Sequence, residues 1–283
     1  MTFVRQFLRH YLLAIQFFTR IPVIGAVADW VGYSPAMLRA SAAHFPGIGW
    51  LVGAVAAGVY ALLLALLPAT LFTPLVAAAL STVASVLLTG GFHEDGLADV
   101  ADGLGGSRDR QRALEIMKDS RIGALGAMAL VLALGCKLSL LGLLGSVEST
   151  LPLAEEASFD GWRVAGALFA AHVVSRGLPL LLIALLPHVG DTASSKSKPL
   201  ADQITPGSLF IAFMWCLSAL ALATYALSLS AIHLIVACSF SVIALLWMGR
   251  LFTRRLQGFT GDCLGATQQV CEIAFYLGLA VAL

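Results

Sequence analysis

Twelve consecutive residues, Phe92-His93-Glu94-Asp95-Gly96-Leu97-Ala98-Asp99-Val100-Ala101-Asp102-Gly103, hold the densest ionisable cluster in the chain. Asp95, Asp99 and Asp102 fall at i, i+4 and i+7, a spacing that stacks three carboxylates on one face of a helix. Like charges so placed destabilise a helix by about 0.2–0.5 kcal/mol per pair, and no Lys or Arg alternates with them. A bound cation makes such a stripe tenable. Oxygen ligands without a companion thiol or imidazole cluster favour Mg2+ or Mn2+ over zinc, and Glu94 adds a fourth carboxylate. The plainer alternative is a solvated acidic helix end at a membrane surface.

Gly103, Gly105 and Gly106 follow and predict a break in the helix, with a flexible turn offering backbone N–H groups to phosphate. No GxxxxGK[ST] accompanies them. Residues 107–121 predict an amphipathic helix, with Ala113, Leu114, Ile116 and Met117 interleaved with Arg108, Arg110, Arg112 and Lys118. Two roles stay open for it: lying on the membrane face, or offering Lys118 and Arg121 as a phosphate clamp. A further patch holds Arg250, Arg254 and Arg255, which read as stop-transfer bases, then Asp262 in a glycine-rich stretch. An acid at a span boundary is costly unless partnered. Gln268, Gln269 and Glu272 sit within the last apolar run, where Glu272 needs a base. Lys137 and Arg176 are its expected partners, for structure or for substrate binding. His93, beside the acids, is a candidate base or supporting group.

The elements that must position these groups are set by composition. Of 283 residues, 59% are hydrophobic and 12% charged, with a mean hydropathy of +0.90. Soluble domains carry about 25% charged residues, so a soluble enzyme, a disordered chain and a secreted disulfide scaffold are excluded. A net charge of +1 gives no nucleic-acid-binding character. The five cysteines form no CxxC pair and read as small buried hydrophobes. The N-terminal stretch has no small-residue cleavage site behind a short apolar core, and is expected to be a retained amphipathic segment.

Seven apolar runs are long enough to cross a bilayer: residues 46–67, 74–92, 123–145, 164–186, 209–229, 231–248 and 265–283. The fold expected is all-α, a polytopic transmembrane bundle of about seven spans forming one catalytic domain over residues 1–283, with an amphipathic helix at the cytoplasmic face. Basic residues collect before the first run, between the second and third (Arg108 to Arg121), between the fourth and fifth (Lys196, Lys198), and between the sixth and seventh. The segment 146–161 carries Glu148, Glu155, Glu156 and Asp160 without a base. Seven spans put every basic loop on one side, giving a cytoplasmic N-terminus and an external C-terminus. Gly53, Ala57 and Ala61, four apart, suit helix packing within the chain or in a homo-oligomer.

Carboxylates at the cytoplasmic end of a span, with bases nearby, suit chemistry on a phosphorylated substrate, a carboxylate accepting the proton of an attacking hydroxyl. A transporter of a cation or corrinoid is the contrasting class, but places its acids near the midplane. Four segments carry a resemblance: Phe17-Phe18-Thr19-Arg20-Ile21-Pro22-Val23, the run from His93 to Gly106, the run from Ala113 to Ala124, and Thr260-Gly261-Asp262-Cys263-Leu264-Gly265-Ala266. Together, and in order along nearly the whole chain, they resemble the cobalamin synthase family, the adenosylcobinamide-GDP ribazoletransferases.

The resemblance implies an integral inner-membrane enzyme that requires Mg2+. Such an enzyme joins α-ribazole, or its 5′-phosphate, to adenosylcobinamide-GDP, releasing GMP and giving adenosylcobalamin or its 5′-phosphate. Carried onto this sequence, it implies that Glu94, Asp95, Asp99 and Asp102 hold one or two Mg2+. Asp102 would take the proton of the ribazole hydroxyl, and Asp262 would add a ligand or orient the nucleoside. Lys118 and Arg121, with the backbone of Gly103 and Gly105, would meet phosphate. The acidic motif is similar in kind to that of CDP-alcohol phosphotransferases, whose DGxxAR is absent and whose spacing is wider. A lipid-headgroup phosphotransferase is therefore the second enzyme reading.

Overall fold

The computed structural model describes residues 3–150, 162–190, 203–227 and 229–283. Lys196, Lys198, Glu155, Glu156 and Asp160, and the side chain of Glu148, lie outside the described residues. Helix α1 (Phe3–Phe18) buries Leu13, Ala14 and Phe18 and keeps Arg5 and Gln6 exposed, the amphipathic segment expected. Short helices α2 (Gly25–Val31) and α3 (Pro35–Ser41) lead through a tight turn into α4 (Phe45–Leu66). Then follow α5 (Thr73–Thr89), α6 (Phe92–Gly106), α7 (Arg110–Met117), α8 (Ala124–Thr150), α9 (Trp162–Gly177) and α10 (Leu180–Leu185). Helices α11 (Pro206–Tyr225), α12 (Ala231–Leu256) and α13 (Gly261–Ala282) complete the bundle.

The starts of several helices are legible chemistry. Ser34 accepts from the Met37 N–H ahead of Pro35, and Thr205 accepts from Ser208 N–H ahead of Pro206. Both follow the rule that a hydroxyl caps a first turn in which proline loses no hydrogen bond. Six stretches are long and apolar enough to span a membrane: Pro35–Leu66, Ala124–Val147, Arg163–Leu185, Pro206–Tyr225, Ala231–Leu256 and Gly261–Ala282. Helix α5, at 17 residues, is about 25 Å long. It exposes Leu75, Val76, Leu80, Val83 and Leu87 along its length, and with α6 it forms a bent pair that brings the candidate spans to seven if counted as one.

One expectation fails here. The second apolar run does not continue straight into the acid cluster. Gly90 and Gly91 are both left-handed, with φ of 74° and 72°, and α6 leaves α5 at 90°. Two successive residues without Cβ make that corner accessible to the backbone.

Helix α9 is the central element, with nearly every residue from Val164 to Ser175 buried. Helix α4 closes on it through glycine: a Cβ on Gly53 would stand 2.9 Å from the Phe169 carbonyl oxygen. That part of the small-residue stripe is used within the chain.

Within the bundle, Glu272 of α13 is surrounded by donors. Lys137 Nζ of α8 lies 2.7 Å from its Oε1, the Tyr276 hydroxyl donates to the same oxygen at 3.1 Å, and Gln268 Nε2 donates to Oε2 at 2.8 Å. His172 Nδ1 lies 3.5 Å from Oε2. Lys137 thus meets the expectation of a basic partner. Arg176 turns instead to its own helix, donating from Nη1 to the His172 carbonyl at 2.9 Å. Removing one partner of a buried ion pair leaves the other charged and unsolvated, a loss of about 3–5 kcal/mol. Lys137→Met is accordingly expected to lower the thermal transition of detergent-solubilised protein markedly. The double variant Lys137→Met, Glu272→Gln should lose less than the two single variants summed. A Lys137→Met protein as stable as wild type would show that the pair does not hold the bundle.

Candidate functional site

The site is assembled where α6 passes the first turns of α13 in the opposite sense. A Cβ on Gly96 would stand 2.8 Å from the Asp262 carbonyl oxygen, and one on Gly265 3.3 Å from the Cα of His93. Glycine on both helices lets the backbones touch, which brings Asp262 beside the acid stripe. Thr260 caps α13, accepting from the Cys263 N–H at 3.4 Å, and its hydroxyl donates to Asp262 Oδ2 at 3.3 Å. Beyond Gly96, α6 runs past the start of α13 to Gly106.

A cavity of about 610 Å3 opens here, lined by Arg20, Thr89, Glu94, Asp95, Asp99 and Ser120 among others. Asp99 is half-buried there, with Asp262, Asp95 and Asp102 as the neighbouring carboxylates. Among the described residues, no ion pair involves Asp95, Asp99 or Asp262. Nor have any three carboxylate, imidazole or thiol groups already converged on a common metal position. The donor set is oxygen only, crowded and uncompensated, which fits a hard divalent cation such as Mg2+.

The acids divide their labour. Asp102 does not line the cavity; its Oδ2 accepts from the Gly123 N–H at 2.7 Å and its Oδ1 from the Gly126 N–H at 2.8 Å. It pins the start of α8, where unpaired amides and the helix dipole favour a carboxylate. Both oxygens being committed to scaffold, the role of base moves from Asp102 to a carboxylate that faces the cavity. Glu94 faces it too, while its Oε1 accepts from Gln269 Nε2 at 3.0 Å. Gln269 also donates to Gln268 Oε1, joining the site to the Glu272 network.

Other expectations are corrected. The glycines do not break α6, which runs on to Gly106. Gly103 serves packing, since a Cβ there would stand 2.8 Å from the Ala113 carbonyl oxygen of α7. Gly105 is likewise helical, beside Leu125, so neither offers the open loop a phosphate needs. Helix α7 is the amphipathic element expected, burying Ala113, Leu114 and Met117. Lys118 and Arg121 do not line the cavity, although Ser120 and Ile122 do. Arg121 Nη2 pairs with Asp119 Oδ2 at 2.6 Å in solvent, and its hydrogen bonds hold the Asp119 carboxyl down at about 2. His93 is buried, its ring stacked on Phe45 at 5.6 Å, and it does not line the cavity.

The basic loops have structural work. Arg255 Nη2 donates to the carbonyls of Leu104 and Ser107 at 2.9 and 2.6 Å, closing the end of α6. Arg110 Nε donates to the Leu256 carbonyl at 2.7 Å, closing the end of α12. Sequence reasoning left Arg20, Thr89, Gly90 and Ser120 without a role. The Gly90-Gly91 pair directly ahead of the acids was the available signal.

Asp102→Ala is expected to cost about 1–2 kcal/mol, as for loss of a capping carboxylate, and so lower the thermal transition. Asp99→Asn relieves like-charge crowding and should leave stability unchanged or higher. The opposite order would place Asp102 outside the scaffold.

The family model described as cobalamin-5-phosphate synthase matches residues 10–280. An adenosylcobinamide-GDP ribazoletransferase of Polaromonas sp. is 74% identical over 281 residues, 99% of each chain. One of Polaromonas naphthalenivorans is 73% identical over 278 residues, 98% of this chain and 99% of its own. One of Vibrio cholerae is 41% identical over 276 residues, 97% of this chain and 94% of its own. No solved structure matches the chain. With the match running from the middle of α1 across the acid cavity to the last helix, the chain belongs to the cobalamin-5-phosphate synthase family.

Proposed function

We propose that this chain transfers the adenosylcobinamide-phosphate group of adenosylcobinamide-GDP to α-ribazole or its 5′-phosphate, releasing GMP, with Asp95, Asp99 and Asp262 as the Mg2+ ligands. The observation that carries the mechanism is the carboxylate cavity beside the α6–α13 crossing, where Glu94, Asp95 and Asp99 line one space and, among the described residues, form no ion pair. When bound there, Mg2+ supplies charge neutralisation for the diphosphate and the leaving phosphate. Asp95 and Asp99, one turn apart on α6, line the cavity, and Asp262 lies behind them within electrostatic reach of both. Glu94 borders the same cavity and is oriented by Gln269.

A free ribose hydroxyl of the ribazole, distinct from the 5′-oxygen that carries phosphate in the phosphorylated acceptor, attacks the phosphorus that carries the cobinamide alcohol. The new P–O bond forms as the bridging P–O bond to GMP breaks. A cavity carboxylate left free of the cation is suited to take the hydroxyl proton, and Glu94 is the acid of the cavity that remains for that role. Asp102 contributes by fixing α8, and with it the wall that carries Ser120 and Ile122.

GMP release by purified protein is expected to require both α-ribazole and Mg2+, and to stop on chelation. Asp95→Asn and Asp99→Asn should each lower turnover by about 100-fold or more, the scale of losing one transition-state contact, with the fold intact. An Asp99→Asn enzyme retaining substantial Mg2+-dependent turnover would remove the metal site. CDP-diacylglycerol supplied in parallel should give no product; turnover with it would favour the lipid-headgroup reading.

The basic residues at this end of the bundle, Arg5, Arg9, Arg108, Arg112, Arg250 and Arg254 among them, favour the cytoplasmic face of the inner membrane. Seven spans then leave Leu283 outside. A phosphatase reporter joined there should be active, and an inactive, stably inserted fusion would reverse the topology.

A further inference from the structure

Among the described residues, Arg20 is the one arginine that borders the carboxylate cavity. It follows α1, and its backbone is fixed there, the Arg20 N–H donating to the Leu88 carbonyl at 2.7 Å. Its guanidinium lies across the corner between α5 and α6. A Cβ on Gly90 would stand 2.8 Å from Arg20 Cζ and 2.9 Å from Nη2. The missing side chain at Gly90 therefore makes room for the guanidinium as well as permitting a φ of 74°.

Three anionic residues share this cavity with Arg20, yet among the described residues its guanidinium forms no ion pair and donates no hydrogen bond. The seat over Gly90 is where the guanidinium rests. A planar fork of N–H donors is matched to phosphate oxygens in a bidentate arrangement. Thr89 and Ser120 supply hydroxyls to the same cavity.

We infer that Arg20 binds the diphosphate of the nucleotide-activated substrate from the side opposite the carboxylates, and holds the phosphate of the departing nucleoside monophosphate as the bridging P–O bond breaks. This rests on the transfer reading above and adds the residue that recognises its anion. The role requires an anion shared between a guanidinium and a carboxylate-bound cation, an arrangement that neither alone provides.

Arg20→Ala should raise KM for adenosylcobinamide-GDP and the inhibition constant of GMP by about 10- to 100-fold, the scale of one lost charge-assisted hydrogen bond. KM for α-ribazole and the Mg2+ concentration for half-activity should move less than about twofold, since neither is contacted by the guanidinium. Arg20→Lys, which keeps the charge and loses the fork, should fall between. Because the Arg20–Leu88 bond is backbone to backbone, the thermal transition of Arg20→Ala should stay at the wild-type value. Gly90→Ala should raise the same KM in the wild-type background, and raise it no further in the Arg20→Ala background, a coupling that general damage to the corner would not produce.

An Arg20→Ala enzyme with unchanged KM for the corrinoid and unchanged GMP inhibition would overturn the assignment. Equal rises in the KM of both substrates would also overturn it, by assigning Arg20 to the shape of the cavity. Wild-type protein that releases no GMP would refute the transfer reading instead. Direct GMP binding to wild type and to Arg20→Ala then still decides the anion site: weaker binding by the variant supports it, and equal binding refutes it.

Discussion

The architecture depends on one contact, the crossing of α6 and α13 at Gly96 and Gly265. Neither helix alone makes a site. The acids of α6 lie on a short helix, and Asp262 lies at the start of a spanning one. A side chain at Gly96 would meet the Asp262 carbonyl oxygen at 2.8 Å and force a shift, while one at Gly265 would press on His93 Cα at 3.3 Å. Either change disturbs the placing of Asp262 against Asp95 and Asp99. The left-handed Gly90-Gly91 corner serves the same end, since it frees α6 from the axis of α5 and lets it lie along α13.

Beneath this crossing, Glu272 and its partners give the contact a fixed depth. Apolar packing between helices in lipid tolerates sliding, because lipid tails solvate a leucine as well as another leucine does. A buried carboxylate with donors from α8 and α9 as well as from its own helix does not tolerate it: any shift strands a charge. Through Gln268 and Gln269 the same lattice of hydrogen bonds reaches Glu94. The position of α6 is thus set by polar chemistry as well as by shape.

Much of this was legible in residue types. Hydrophobic runs marked the spans because lipid demands about 20 apolar residues per crossing. Glu272 announced its partnership with Lys137 because an ionised group cannot stand alone at that depth. What sequence spacing could not reveal was direction within the acid stripe. Asp102 shares a helix face with Asp95 and Asp99, but the amides of Gly123 and Gly126, more than twenty residues later in the chain, claim it. The glycines after it looked like a break, yet α7 packs on them and supplies contacts that outweigh their poor helix propensity. Arg20 was invisible for a related reason. Its place in the site comes from a turn between two other helices.

The two guanidinium ties, Arg255 to the end of α6 and Arg110 to the end of α12, have their own consequence. Each is aimed at carbonyl oxygens, so the basic loops brace the scaffold without neutralising a single acid of the cavity. The mouth keeps a negative potential, which attracts divalent ions and repels a bare polyphosphate. Under the proposed transfer, a divalent ion seated ahead of the nucleotide would remove that repulsion.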